Sequence, residues 1–313
     1  MKIVTKLFAF SFRTVFLLVF SLAFVACEDI ISPNLEKANP VLAVDAWINN
    51  KNETQVIRLT ETQPYFQNTT PPGVTGASIN IIDNEGRNYF FAEDFNKPGD
   101  YTWTPPTSSV VFGKTGNAYQ LNIQLSTGEV YTATSYMGRV PVIDSVTLTF
   151  EPKNAIQPDS YIAEFWATEV PGSGDTYWIK AFKNGVLLNK PEEINIAFDA
   201  GFSAGGNFDG VTFITPKRRG VNPNDVDADD KAISPYQPGD SLNVEIHSLT
   251  VEAFNYMNEV VIQTNRPGGF SELFASPIAN VSTNIFNADK AGPAAVGFFT
   301  VSSVSSKGRR FKK

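Results

Sequence analysis

One cysteine and one histidine stand in 313 residues, so thiol and imidazole chemistry have a single seat each. Cys27 closes the stretch Phe24-Val25-Ala26-Cys27 and is followed by Glu28 and Asp29. It can form no intramolecular disulfide, and a free surface thiol is a liability in an oxidising compartment. Ahead of it lie Lys2, Lys6 and Arg13, then the apolar run Val15 to Ala26. That run is too short to cross a hydrocarbon core, which needs about 20 residues. It suits the h-region of a signal peptide, with small Ala26 before the cut. Phe24 departs from the Leu commonest at its position in a lipoprotein box. We expect residues 1–26 to be a lipoprotein signal peptide and Cys27 to carry the lipid.

A Ser-His-Asp triad would have to use His247. That residue follows Leu242, Val244 and Ile246 on the polar phase of their strand, beyond Glu245, and reads as a solvated strand-end histidine. With Cys27 committed to lipid no Cys-His pair remains, and no G-x-S-x-G elbow is present. The usual nitrogen and sulfur ligands of zinc are lacking. Asp225, Asp227 and Asp229 alternate like the start of a calcium loop. The EF-hand then needs Gly at its sixth position and Glu at its twelfth; Asp230 and Tyr236 stand there. A solvated loop is the plainer reading, with those three aspartates a weak calcium candidate. Carboxylate pairs for glycoside hydrolysis are spatial, and nothing local favours one. Tyr65, Phe66, Trp103 and Trp166 would make a sugar platform if exposed, but aromatic residues in a β-rich chain mostly pack in cores. The expectation is a non-enzyme with no catalytic residues, no metal and no cofactor.

The elements that would position any site are strands. Tyr119, Leu121, Ile123 and Leu125 alternate with Gln120, Asn122 and Gln124, the period of a sheet with one face buried and one wet. Similar short runs recur from Val41 to Tyr136, separated by turns such as Asp83-Asn84-Glu85-Gly86 and Thr127-Gly128. This spacing predicts a sandwich. A break at Arg139-Val140-Pro141 divides the chain. Beyond it, Asn184-Gly185 between apolar runs is a hairpin signal. Pro216 to Gly239 reads as a long polar loop. Thr250 is a candidate N-cap, and Ala253, Phe254, Met257, Val260 and Val261 form the stripe of one amphipathic helix near 250–263. The fold class is therefore mainly β, with two sandwich-like domains. Residues 27–40 are a tether, 41–139 an Ig-like N-terminal sandwich, 140–304 a β-rich C-terminal domain with the helix, and 305–313 a basic tail.

Composition bounds the partners. Removing the leader's three positive charges takes the net charge from −7 to −10. An acidic body argues against nucleic acid, which calls for a basic face, and against general adhesion to an anionic membrane surface. The anchor would be lipid alone.

Beyond these readings the chain resembles a known family. The features are Cys27-Glu28-Asp29, Val41 to Ile48, Leu59-Thr60-Glu61-Thr62, and Val74-Thr75-Gly76-Ala77 leading to Ile81-Ile82-Asp83 and Gly86. Pro98-Gly99-Asp100-Tyr101, the hairpin Tyr119 to Tyr131 and Ile143-Asp144-Ser145 follow. Asn207-Phe208-Asp209-Gly210, Gly239-Asp240-Ser241 and Asn280 to Asn284 before Gly297-Phe298-Phe299 complete the set. The pattern resembles the Bacteroidota domain of unknown function 4249 family over nearly the whole mature chain. The resemblance implies an outer-membrane lipoprotein, often encoded beside a TonB-dependent receptor, and so an accessory or ligand-capture role at that β-barrel. It implies no catalytic residues. A stand-alone surface module binding glycan or protein is the alternative. Glu28 and Asp29 resemble the surface-export signal of such lipoproteins. Ser145 and Ser241, each after an Asp and before an apolar residue, resemble their O-glycosylation site.

Overall fold

The computed structural model describes residues 39–312, except 65, 66, 68, 155–157, 267, 270, 272–274 and 276–278. Cys27, Glu28, Asp29, Tyr65 and Phe66 lie outside the described residues. The chain is mainly β, as its periodicity predicts. In chain order β1 is Leu42–Asn49, β2 Gln55–Glu61, β3 Ser78–Asp83, β4 Asn88–Glu93, β5 Asp100–Trp103, β6 Ala118–Gln124 and β7 Val130–Tyr136. β8 is Ile143–Glu151, β9 Ser160–Ala167, β10 Thr176–Lys183, β11 Val186–Leu187 and β12 Asn195–Phe198. Helix α1 is Thr215–Arg219, β13 Ser241–Leu249, helix α2 Val251–Thr264, β14 Phe286–Asn287, β15 Ala295–Ser302 and β16 Val304–Arg310. Residues Pro40–Lys313 form one compact unit.

The first sheet has nine strands in the order β14-β7-β6-β3-β4-β5-β2-β1-β15. Alternate residues turn inward, including Leu42, Val44, Ala46 and Ile48 of β1 and Ile57 and Leu59 of β2, and build one core. The sheet folds back on itself. Ser135 Oγ of β7 accepts from Val301 N at 3.1 Å, and Asn284 bonds both the Phe299 amide and its carbonyl. β15 pairs in parallel with β1 from Leu42↔Ala295 to Asn49↔Ser302. Residues 295–302, which the sequence assigns to the C-terminal domain, thus complete the N-terminal sheet. Their apolar pattern carries no mark of which sheet they join. The close approach needs Gly297: its φ is +93°, and a Cβ there would meet the Val44 carbonyl oxygen at 2.0 Å.

The second sheet runs β11-β10-β13-β16, with β12 also on β10, and β8 and β9 form a separate hairpin. Tyr177, Ile179 and Ala181 of β10, Leu242, Val244 and Ile246 of β13, and Val146, Ala163 and Phe165 of the hairpin share a second core. Asn184 and Gly185, at φ +52° and +84°, make the expected tight turn. Helix α2 starts on its expected cap, where Thr250 Oγ1 accepts from Ala253 N at 3.1 Å.

Two expectations change here. The basic tail 305–313 is a strand over most of its length: β16 pairs with β13 from Ser241↔Arg310 to His247↔Val304, and Phe311 is buried in the second core. Charge on an edge strand mimics a solvated terminus because one edge and one face stay wet. The segment from Pro216 to Gly239 is also partly ordered. Pro216 opens α1, a position where its missing N–H costs nothing, and Val221 and Tyr236 enter the second core.

Candidate functional site

Beside the two large cores a third, smaller cluster forms, where Trp47 and Trp178 pack against buried Leu249, Ala253 and Phe298. β1 turns its core residues inward and so puts Asp45 and Trp47 on its opposite face. β2 does the same with Val56 and Arg58, and β10 with Trp178 and Lys180. These six side chains line a shallow groove of about 360 Å³, open to solvent. The rings of Trp47 and Trp178 meet edge to face at 5.3 Å. Trp47 also stacks against Phe298 of β15 and leans on Tyr256 of α2, so the aromatic group joins both sheets and the helix.

The charges around the groove fall into two sets. Arg58 is occupied: its Nε donates to Asp100 Oδ1 at 2.6 Å and its Nη2 to Oδ2 at 3.1 Å. Lys180 is not. Its Nζ lies 3.9 Å from the centre of the Trp178 ring and, among the described residues, makes no hydrogen bond or ion pair. Burial pushes its ammonium down to about 8, against the attraction of Glu245. The carboxylate of Asp45, exposed on the rim, likewise has no hydrogen bond or ion pair among the described residues. Both indole N–H groups are also without a protein acceptor among the described residues. Lys217 is a useful contrast. Burial also pushes it down to about 8, but its Nζ donates to the Ile196 carbonyl and it is shut into the fold.

Beneath the groove, His247 is 4% exposed, which corrects the solvated reading. The wet phase of β13 is covered by the turn after β1, so both faces of the strand are buried. His247 Nε2 lies 2.9 Å from Glu245 Oε2, and Lys51 Nζ lies 2.8 Å from Glu245 Oε1. Burial opposes charge on Glu245, but the bonds from His247 and Lys51 outweigh it and hold the carboxyl at about 2. Burial pushes the imidazole down to about 4, so His247 is neutral at pH 7 and donates from Nε2. The Lys51–Glu245 ion pair ties the turn after β1 to β13 and so links the two sheets, and the His247 ring lies 6.3 Å from that of Trp178.

The other sequence candidates are scattered. Asp225 pairs with Lys190 at 2.8 Å, Asp227 Oδ1 accepts from the amides of Asp229 and Lys231, and Asp229 pairs with Lys231 at 3.3 Å. Among the described residues no group of three or more His, Cys, Asp or Glu is placed to hold a metal ion. Ser145 is half-buried beside a register shift in β8, while Ser241 bonds Asn184 at the start of β13. Trp103 packs edge to face on Tyr89 in the first core. Trp166 lies under the Arg218 guanidinium and donates to Thr147 Oγ1.

The groove residues themselves escape a reading by strand alone. Trp47 and Trp178 occupy the phase that alternation assigns to water. A tryptophan on that phase is the one signal in the sequence that a second surface covers it. No helix among the described residues is long and apolar enough to cross a membrane. No curated protein matches the chain. The family described as Domain of unknown function (DUF4249) matches residues 28–308, and the chain belongs to that family.

Proposed function

We propose that this protein is a non-catalytic outer-membrane lipoprotein that captures a ligand for a TonB-dependent β-barrel transporter. The observation that carries the capture reading is the open groove, where Lys180 and Asp45 stand unpaired beside two indoles. Unpaired charge next to apolar surface is costly in a fold and is typical of a binding site. The non-catalytic reading is supported by His247, which is buried and hydrogen-bonded to Glu245. The anchored reading rests on the leader and Cys27. From Cys27 to Pro40 an extended tether would reach roughly 45 Å, enough to let the body meet a neighbouring barrel. Glu28 and Asp29 favour the outer face of the membrane.

Isolation of the tagged full chain from detergent-solubilised outer membrane tests this reading. A β-barrel transporter should accompany it, and repeated absence of one would reject the accessory role. The groove equally serves a stand-alone surface module, and that second reading predicts ligand binding with no barrel partner.

A further inference from the structure

We infer that the groove lined by Asp45, Trp47, Arg58, Trp178 and Lys180 binds a neutral saccharide. The inference rests on the capture reading and gives it a ligand class. Three observations lead to it. The groove is shallow and open, which fits a ring or a chain segment lying along it better than a small molecule sealed from water. Its walls include two half-buried indoles, 5.3 Å apart, whose N–H groups donate to no protein acceptor among the described residues. Its free polar groups are of opposite sign. An anionic ligand drawn to Lys180 would meet Asp45, and a cationic ligand drawn to Asp45 would meet Lys180, with Arg58 already neutralised by Asp100.

A hydroxyl group resolves that conflict, because it both donates and accepts. One sugar hydroxyl can accept from Lys180 or an indole N–H, and another can donate to Asp45. The apolar face of a pyranose ring can lie on the part of these indoles that stays open to the groove. Neither interaction requires net charge on the ligand. Trp166, also on a strand, already donates its indole N–H to Thr147 Oγ1 and provides an internal control.

The experiment is a tryptophan-fluorescence titration of the full chain in a detergent without a sugar headgroup. The probes are gluco-, manno- and xylo-hexaoses, with oligogalacturonate as the charged comparison. At least one neutral hexaose should shift the emission saturably and bind in the micromolar to millimolar range. Asp45→Asn and Lys180→Met should each weaken that binding about tenfold or more, while Trp166→Phe leaves it within about twofold. Asp45 is exposed, so its variant keeps the fold if Lys180→Met does not. Failure of every neutral probe, or binding that the groove variants leave unchanged, overturns the proposal. Binding of oligogalacturonate alone, lost in Lys180→Met, overturns the neutral class and leaves the capture reading standing. Loss of barrel co-isolation with sugar binding intact would instead reject the transporter partner.

Discussion

Residues set the chemistry of this protein through what they lack as much as through their partners. His247 would titrate near 6.5 in the unfolded chain, but burial holds it at about 4 in the fold. Between those values the unfolded state binds the extra proton. Stability is therefore full above pH 6.5 and falls as pH drops towards 4, by on the order of 3 kcal/mol. His247→Gln should remove that decline from a series of melts across pH 7 to 4; an unchanged decline would place the titrating group elsewhere. Lys180 carries a cost of another kind, because burial of its ammonium outweighs the attraction of Glu245 and it makes no ion pair among the described residues. Lys180→Met should raise Tm at pH 7 by a few degrees, on the order of 1 kcal/mol for a body of this size, while weakening ligand binding about tenfold or more. A fall in Tm would mean that the cation holds the fold together. Stabilisation with loss of function is the usual mark of a site residue.

Elements decide how those residues meet, and here the sequence was readable in part. Alternation in β6 and β7, the Asn184-Gly185 turn and the Thr250 cap each rest on contacts a few residues apart, and each is legible locally. The parallel pairing of β1 with β15 joins residues some 250 positions apart, and no local pattern encodes it. The same reason hid the burial of His247 and the partial covering of the groove indoles, since both depend on what packs on the outer phase of β10 and β13. The C-terminal strand shows the limit most clearly. Five basic residues in the last seven read as a solvated tail, yet Phe311 between them is buried. Phe311→Ala should cost about 3–5 kcal/mol, seen as a lower denaturant midpoint. A change within about 0.5 kcal/mol would show that β16 is frayed after all.

At the scale of the whole molecule, the described body is one compact unit holding two large hydrophobic cores and a smaller third one, with the groove at the seam where β1 and β2 meet β10. A seam between sheets gives a ligand rigid walls from two directions, and ordered strands position side chains better than loops do. The proposed anchor would hold this body at the membrane through a tether, leaving its position relative to a barrel to be set by partner contacts. The central claim is capture for a transporter, and the ratio of β-barrel transporter to tagged chain after isolation from solubilised outer membrane tests it most directly. The account predicts a near-stoichiometric ratio for the native chain and a sharply lower one for Cys27→Ser. A ratio indistinguishable from that of an unrelated lipoprotein would contradict it.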